Sequence, residues 1–494
     1  MAATYHELTK HSLHSVQSNV HYLDWSNQPL PFKMYDTLEA VPLPTQLEPS
    51  DGSALEAIAG LLEPDPARVL ASALLARLLY YANGITKMLR GMPFRAAACT
   101  GALYHIELYV ACQDLPDLAA GVYHYGAHDH ALRQLRAGDY RSVLVEATGG
   151  QVSAAQAVLV LTSTFWRNAW KYQARAYRHS FWDSGTVLAN LLAVANAQRL
   201  PASVVHGFAD SAVNQVLDVE PRHEAAICLV ALGANGTPPP SAPSVESMHY
   251  PTRALSAHEV EYPAIAEAHA ATSLAGGDAV AVWRAALPSP SARGLYLAGE
   301  GDAAITQVVL PRTPPIEQVI TRRGSSRRFS RAPIALDQLL AILTASSQPI
   351  PSDIAPAGRL TTPYLIINAV SDLAAGTYVY SSGSGLKPLR SGDLRRQAGY
   401  LDLGQELAAD AAVNIYSLCN LSDMLSRLGD RGYRAAQLEG AIEGGKLYLS
   451  AYALGLGATG LTFFDDDVSR FFDVPDYAVM FLTAIGHPGT ARTP

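Results

Sequence analysis

Apolar positions along the chain fall into two kinds of run. Short runs such as "IELYVAC" (106–112), "PYLIINAV" (363–370), "AAICLVALG" (225–233) and "AVMFLTAIG" (478–486) are almost uninterrupted. They predict buried strands. Longer segments at 67–85 and 332–350 follow a helical period, and two more begin at a paired "YR" and end near "LPAS" or "LGAT". Each "YR" segment predicts a long amphipathic helix. The apolar stretch "SGTVLANLLAVANAQ" (184–198) is too short for a membrane span and contains two asparagines, so it reads as a buried helix.

These elements recur in the same order. Residues 174–210 lie over 430–466 at a constant separation of 256, which pairs Arg175 with Arg431, Tyr177 with Tyr433, Arg178 with Arg434 and Asp210 with Asp466. Upstream, "LAAGVYHY" (118–125) matches "LAAGTYVY" (373–380), and "RAGDYR" (136–141) matches "RSGDLR" (390–395). Such co-linear matches indicate duplication of one module. Strands arranged around long helices predict an α+β domain in each copy. Between the copies, the proline-rich segment 234–251 cannot hold regular structure, and one helix is expected within "AHEVEYPAIAEAHAATSL" (257–274). The domain boundaries are therefore set at 1–233 and 316–494, joined by a linker or clasp over 234–315.

Composition narrows the function classes. The 494 residues are 49% apolar, with a formal net charge of −8, which argues against a nucleic-acid binder. Cys99, Cys112, Cys228 and Cys419 stand far apart and suggest neither a disulfide framework nor a metal cage. The start "MAATYHELTKHS" lacks the apolar core of a signal peptide. A cytoplasmic protein is expected, with no membrane partner.

Against this acidic background, "TRRGSSRRFS" (321–330) gathers four arginines around two serines. A local knot of this kind is a site for an anion. The first copy has nothing similar. The helical match between 67–85 and 332–350 carries Arg323, Ser325 and Arg327 onto Ile58, Gly60 and Leu62, inside "LEAIAGLLEPD".

The set "RGSSRRF", "LAAG" with alternating tyrosines, "YR" and "FFDDDV" resembles the nitroreductase superfamily. More narrowly, "LDWSNQPLPFKMY" (23–35) and "KYQARAYRHSFWDSG" (171–185) resemble its SagB/ThcOx-type dehydrogenases, FMN-dependent azoline oxidases of peptide natural products. The resemblance implies two tandem nitroreductase-like α+β domains forming an intrachain pseudo-dimer, with FMN in the interface and a second chain as an optional partner. It assigns the phosphate motif to Arg323, Ser325 and Arg327. It assigns the isoalloxazine edge to Cys99, Thr100, Gly101, Ala102 and Leu103 of the first copy, although Ala98 and Cys99 replace the usual proline and serine. The backbone near flavin N5 falls to Thr462 and Phe463, and the catalytic pair to Lys171 and Tyr172, which the second copy replaces with Arg427 and Leu428. No metal is implied.

The "GLGATG" at 455–460 is a formal dinucleotide motif, but it follows a helix and enters a strand, the reverse of the order such a site needs. His105 and His179 are read as packing or polar contacts. The expected activity is oxidation of an azoline or related C–N bond in a peptide or small metabolite, with electrons passing to O2 or another acceptor. The alternatives are an NAD(P)H-dependent nitro- or quinone reductase and a non-catalytic member of a biosynthetic complex. One composite site, and one FMN, is expected per chain.

Overall fold

A computed structural model describes residues 1–287, 309–354 and 358–489. Parts of the 234–315 linker and of the stretch before "GRL" (358–360) therefore lie outside the described residues.

The predicted apolar runs form two antiparallel sheets of matching order. The first contains β1 (Ala40–Pro42), β4 (Ile106–Cys112), β5 (Gly121–Gly126), β6 (Ala131–Ala137), β7 (Ala157–Thr164), β8 (Ala202–Val205) and β9 (Glu224–Leu232); β2 (Ile85–Leu89) and β3 (Met92–Arg95) form a separate hairpin. The second contains β10 (Thr362–Ile367), β11 (Gly376–Ser381), β12 (Gly385–Ser391), β13 (Val413–Asn420), β14 (Gly457–Gly460) and β15 (Tyr477–Gly486). Strand order is β1-β6-β5-β4-β7-β9-β8 in one sheet and β12-β11-β10-β13-β15-β14 in the other. Even the register irregularities coincide, between Leu161 and Thr162 in one copy and between Ser417 and Leu418 in the other. Strands β4 and β7 are buried along their whole length, which is why they read as near-continuous apolar runs.

The "YR" segments form two central helices, Ala176–Ala197 and Arg431–Ala453. Both were expected to be amphipathic. Instead nearly every residue is buried, because each helix lies between its own sheet and the other copy. Their crossing needs small residues. A Cβ on Gly185 would fall 2.4 Å from Ala441 Cβ, and one on Gly445 would fall 2.5 Å from Ala189 Cβ. In each contact a position meets its own counterpart 256 residues away, with glycine in the first copy at one and in the second copy at the other. Some buried polar side chains on these helices meet across the seam, as where Trp182 Nε1 donates to Gln437 Oε1 at 2.7 Å.

Two details of the repeat change in three dimensions. Arg175 and Arg178 pair with Asp465, whereas Arg431 and Arg434 pair with Asp210, so the counterpart of Asp210 is Asp465 and one residue separates the copies between the β8/β14 strands and these carboxylates. The ungapped match of Asp210 with Asp466 is corrected accordingly. The helix expected in the linker is Pro263–Ala271, and it mirrors the N-terminal helix Ala2–Leu8. Arg178 Nε donates to Thr9 Oγ1 at 2.9 Å, and Arg434 Nε donates to Thr272 Oγ1 at 2.7 Å. Among the described residues, no helix is long and apolar enough to cross a membrane.

Candidate active site

The basic turn begins where the helix Ile316–Arg322 ends at Arg323 (φ −52°, ψ 143°). The Arg323 side chain is 8% exposed and crosses to the first copy: Nε donates to Ala96 O at 2.9 Å and Nη2 to Arg95 O at 3.2 Å. Its third bond goes to Gly324 O. All three acceptors are neutral carbonyls, and no carboxylate pairs with it among the described residues. Burial lowers its pKa, but a guanidinium stays charged. A buried charge without a counter-charge calls for an anion. Lys87 on β2 adds a second cation from the first copy, donating to the carbonyls of Arg322 (2.8 Å) and Arg323. Partial burial and then the Arg323 charge push the Lys87 pKa down. Ser325 and Arg327 lie exposed on the same turn, with Ser325 Oγ 3.5 Å from Tyr448 Oη. The turn is fixed to the sheet edge because Ser326 N donates to Ala458 O at 2.9 Å. Gly457 makes room there; a Cβ would sit 2.2 Å from Ser326 Oγ.

Strand β14 leaves the sheet beside this turn. The Gly460 amide donates to the Tyr448 hydroxyl. The next amides, of Thr462 and Phe463, donate to no group among the described residues, and the buried Thr462 Oγ1 has no partner either. Leaving such donors buried and unpaired costs about 1–3 kcal/mol each, so an acceptor belongs here. The Phe463 ring is fully buried, 5.9 Å from Trp182, and the Arg175 guanidinium lies over both rings.

The 99–103 segment of the first copy is organised by Asp183. This carboxylate accepts from Thr100 N (2.9 Å), Thr100 Oγ1 (2.8 Å) and Cys99 Sγ (3.0 Å), and from His105 Nε2 at 2.8 Å. Burial and the Asp183 charge raise the Cys99 pKa, so the thiol stays protonated. Ala102 N and Leu103 N turn back to Cys99 O and Thr100 O, so within this segment the Cys99 and Gly101 amides have no partner among the described residues. The second copy uses the same device: Glu439, 256 residues after Asp183, accepts from Leu360 N and from Thr361 N and Oγ1. Cys99, His105 and Asp183 also cluster closely enough to hold a metal ion, but the mirrored Glu439 marks Asp183 as a turn-holding residue.

Tyr172 meets this segment. A Cβ on Gly101, whose φ is +65°, would lie 2.8 Å from the Tyr172 hydroxyl. Its ring packs edge-on to His179 (4.6 Å), which leans on Trp182 (4.9 Å). Burial, then the charge of Asp183, raise the Tyr172 pKa, so its hydroxyl remains a neutral donor. Lys171 Nζ lies 5.3 Å from the Tyr172 ring centroid. The chain Gly101, Tyr172, His179, Trp182, Phe463 thus links the first copy's loop to the second copy's β14 exit. Of the basic residues at helical spacing here, Arg167, Arg175 and Arg178 are buried and Lys171 is half-buried.

These groups fit FMN: cations for a phosphate, two free amides and a hydroxyl for ring heteroatoms, and apolar walls for a flat ring. Sequence reasoning missed Lys87, Tyr448 and Asp183. Only Asp183 carried a signal, an acid matched to Glu439 at the repeat separation. A separate cavity of about 350 Å3 opens on the outer face of the first sheet, lined by Lys33, Tyr35, Thr164 and Glu224. It lies away from the seam, and its Lys33 and Glu224 are paired with each other at 2.7 Å.

Comparison with known proteins agrees with this architecture. The Nitroreductase family model matches twice, over residues 66–234 and 320–487. A crystal structure of a "putative nitroreductase" from Anabaena variabilis superimposes with a TM-score of 0.78 at 28% identity, covering 99% of each chain. A "putative nitroreductase" of Methanocaldococcus jannaschii is 26% identical over 148 residues, 30% of this chain and 73% of its own. The microcin B17-processing protein McbC of Escherichia coli is 27% identical over 140 residues, which is 27% of this chain and 52% of McbC. Two nitroreductase modules folded against each other in a single polypeptide account for both sheets apart from the edge strand β1, and the chain belongs to the nitroreductase family.

Proposed function

We propose that this oxidoreductase is an FMN-dependent dehydrogenase of the SagB/ThcOx type, with one flavin held between the copies. The observation that carries the reading is the buried Arg323, bonded only to carbonyls, on the same seam as the unpaired Thr462 and Phe463 amides. Arg323, Ser325, Arg327 and Lys87 would hold the phosphate, and Thr462, Phe463 and the 99–103 segment would border the ring. When bound, FMN supplies a two-electron acceptor for a hydride. Oxidation of an azoline or similar C–N bond also releases a proton, which the protein must take up. Lys171 is the base in this reading. Tyr172, whose hydroxyl stays protonated, orients the substrate or relays the proton.

The match to McbC supports a peptide or small metabolite as substrate, within natural-product biosynthesis. The likeness to proteins described as nitroreductases supports a second reading, reduction of nitro or quinone compounds by NAD(P)H. The two are separated by incubating FMN-loaded protein in air with azoline-containing peptides and, separately, with NAD(P)H and a nitroarene or quinone. The dehydrogenase reading requires loss of two hydrogens per ring, dependent on Lys171. Reduction of the nitroarene without any azoline oxidation would favour the second reading. Failure to take up flavin after reconstitution would leave a non-catalytic partner.

A further inference from the structure

We propose that the pseudo-symmetric counterpart of the flavin site is closed by the chain's own residues 347–354, with the Asp353 carboxylate seated on the amides that a flavin would otherwise meet. The chain then has one flavin site and one active site. The closure stands on its own geometry; the count of flavins rests on the FMN reading above.

Sheet register identifies the counterpart. Ala202 pairs with Leu232 on β8 and β9 as Ala458 pairs with Ile485 on β14 and β15, which brings His206 to the place of Thr462. The one-residue shift follows, since Arg431 lies over Phe208 as Arg175 lies over Phe463, so His206 and Gly207 are the amides that leave β8 where Thr462 leaves β14. In the candidate site the two amides are unpaired. In the counterpart, His206 N donates to Asp353 Oδ1 at 2.8 Å and Gly207 N donates to Asp353 Oδ2 at 2.9 Å. The carboxylate is 1% exposed and is also bound by Arg284 Nη2 at 3.0 Å, which bonds Gly207 O as well. A carboxylate on two amides and a guanidinium is well satisfied. It leaves neither the His206 nor the Gly207 amide free for another acceptor.

The backbone closes the space beside it. Val204 N donates to Pro351 O at 2.8 Å and Asp353 N donates to Val204 O at 3.0 Å, so the segment adds to the free edge of β8. At the corresponding place on β14, the Gly460 amide is capped by the Tyr448 hydroxyl, and among the described residues no chain is added. Further anchors come from the second central helix and from the residues just before β10: Lys446 Nζ donates to Gln348 O at 3.1 Å, and Arg359 Nη1 to Ser347 O at 3.2 Å. The phosphate end is missing too. The helix Ala54–Ala59 stops at Gly60 (φ 72°), where its counterpart stops at Arg323. Gly60, rather than Ile58, therefore stands in the arginine's place. Neither carries a charge.

The test has two arms. Amide hydrogen exchange in Asp353→Ala should be at least tenfold faster at His206 and Gly207, with protection of β4 and β7 unchanged as the sign of an intact fold. If the alanine variant does not fold, Asp353→Asn should show the same direction with a smaller change. Unaltered exchange at both amides would overturn the closure. In the second arm, FMN titration should saturate wild type at one per chain, and Arg323→Ala/Arg327→Ala should bind none at the same concentrations. Two per wild-type chain, or one retained by the double variant, would overturn the single site. If wild type takes up no FMN, the flavin reading fails while the exchange arm still decides the closure.

Discussion

Arg178 donates from Nη1 to Asp465 Oδ1 at 2.6 Å, joining the two copies through an ion pair that is 0% and 2% exposed at its ends. Its mirror image, Arg434 with Asp210 at 2.7 Å, joins them in the opposite direction. Burial raises the Asp465 pKa, but Arg178 and Arg175 outweigh it and hold the group well below the ordinary carboxylate range. The pseudo-dimer is therefore locked at two equivalent points beside its crossing helices.

Removing one partner of such a pair leaves an uncompensated charge, at a cost of about 3–5 kcal/mol. Arg178→Ala is expected to lose that much in denaturant unfolding, and Arg434→Ala a similar amount. Arg178→Met combined with Asp465→Leu should not recover the loss, because Arg175, which also pairs with Asp465, is then left buried without its counter-charge.

Gly101 is expected to be intolerant for two reasons at once. Its φ is positive, and a Cβ would meet the Tyr172 hydroxyl at 2.8 Å. Gly101→Val should displace Tyr172 and lower kcat, while leaving FMN affinity within about threefold if the phosphate supplies most of the binding. Flavin titration and steady-state kinetics on one preparation separate the two effects.

Lys171→Gln should reduce kcat for azoline oxidation by roughly 10²–10⁴-fold, the usual contribution of a general base. Tyr172→Phe should cost less, since its hydroxyl acts as a neutral donor. Equal losses in both variants, with no change in the pH profile, would argue against Lys171 as the base.

Acid should destabilise the protein before its carboxylates titrate. Burial, and the charge of Arg431 against the opposing pull of Asp353, bring the His206 pKa down to about 4. Burial and Arg434 bring that of His269 down to about 3, with Asp210 opposing. Unfolded histidines bind a proton near pH 6.5. Below that pH the unfolded state therefore takes up protons that the folded state refuses, and stability falls as pH drops from about 6.5 towards about 4. Thermal melts between pH 7 and pH 5 should show the decline, and His269→Gln should flatten it.

Much of this was legible in the chain because the copies kept chemically demanding residues at one separation. Arg175, Arg178, Arg431 and Arg434 announced the duplication, and the arginines of "RRGSSRR" marked one copy as different. The one-residue shift that brings Asp465 opposite Asp210 was hidden, since Asp466 offers an equally good match. The full burial of the central helices was hidden because their polar residues read as a solvent face until their partners are seen, Thr100 and His105 for Asp183 and Trp182 of the other copy for Gln437. Asp353 gave no signal at all. Its role depends on backbone amides, which sequence does not mark.

The central claim is that one flavin lies across the two copies with its phosphate on Arg323. The most direct measurement is the flavin absorbance and FMN affinity of reconstituted wild type beside Arg323→Ala. The account predicts a bound flavin in wild type and an affinity weakened roughly 10- to 150-fold in the variant, the equivalent of a lost charged hydrogen bond. Unchanged affinity in the variant, or no flavin in wild type, would contradict it.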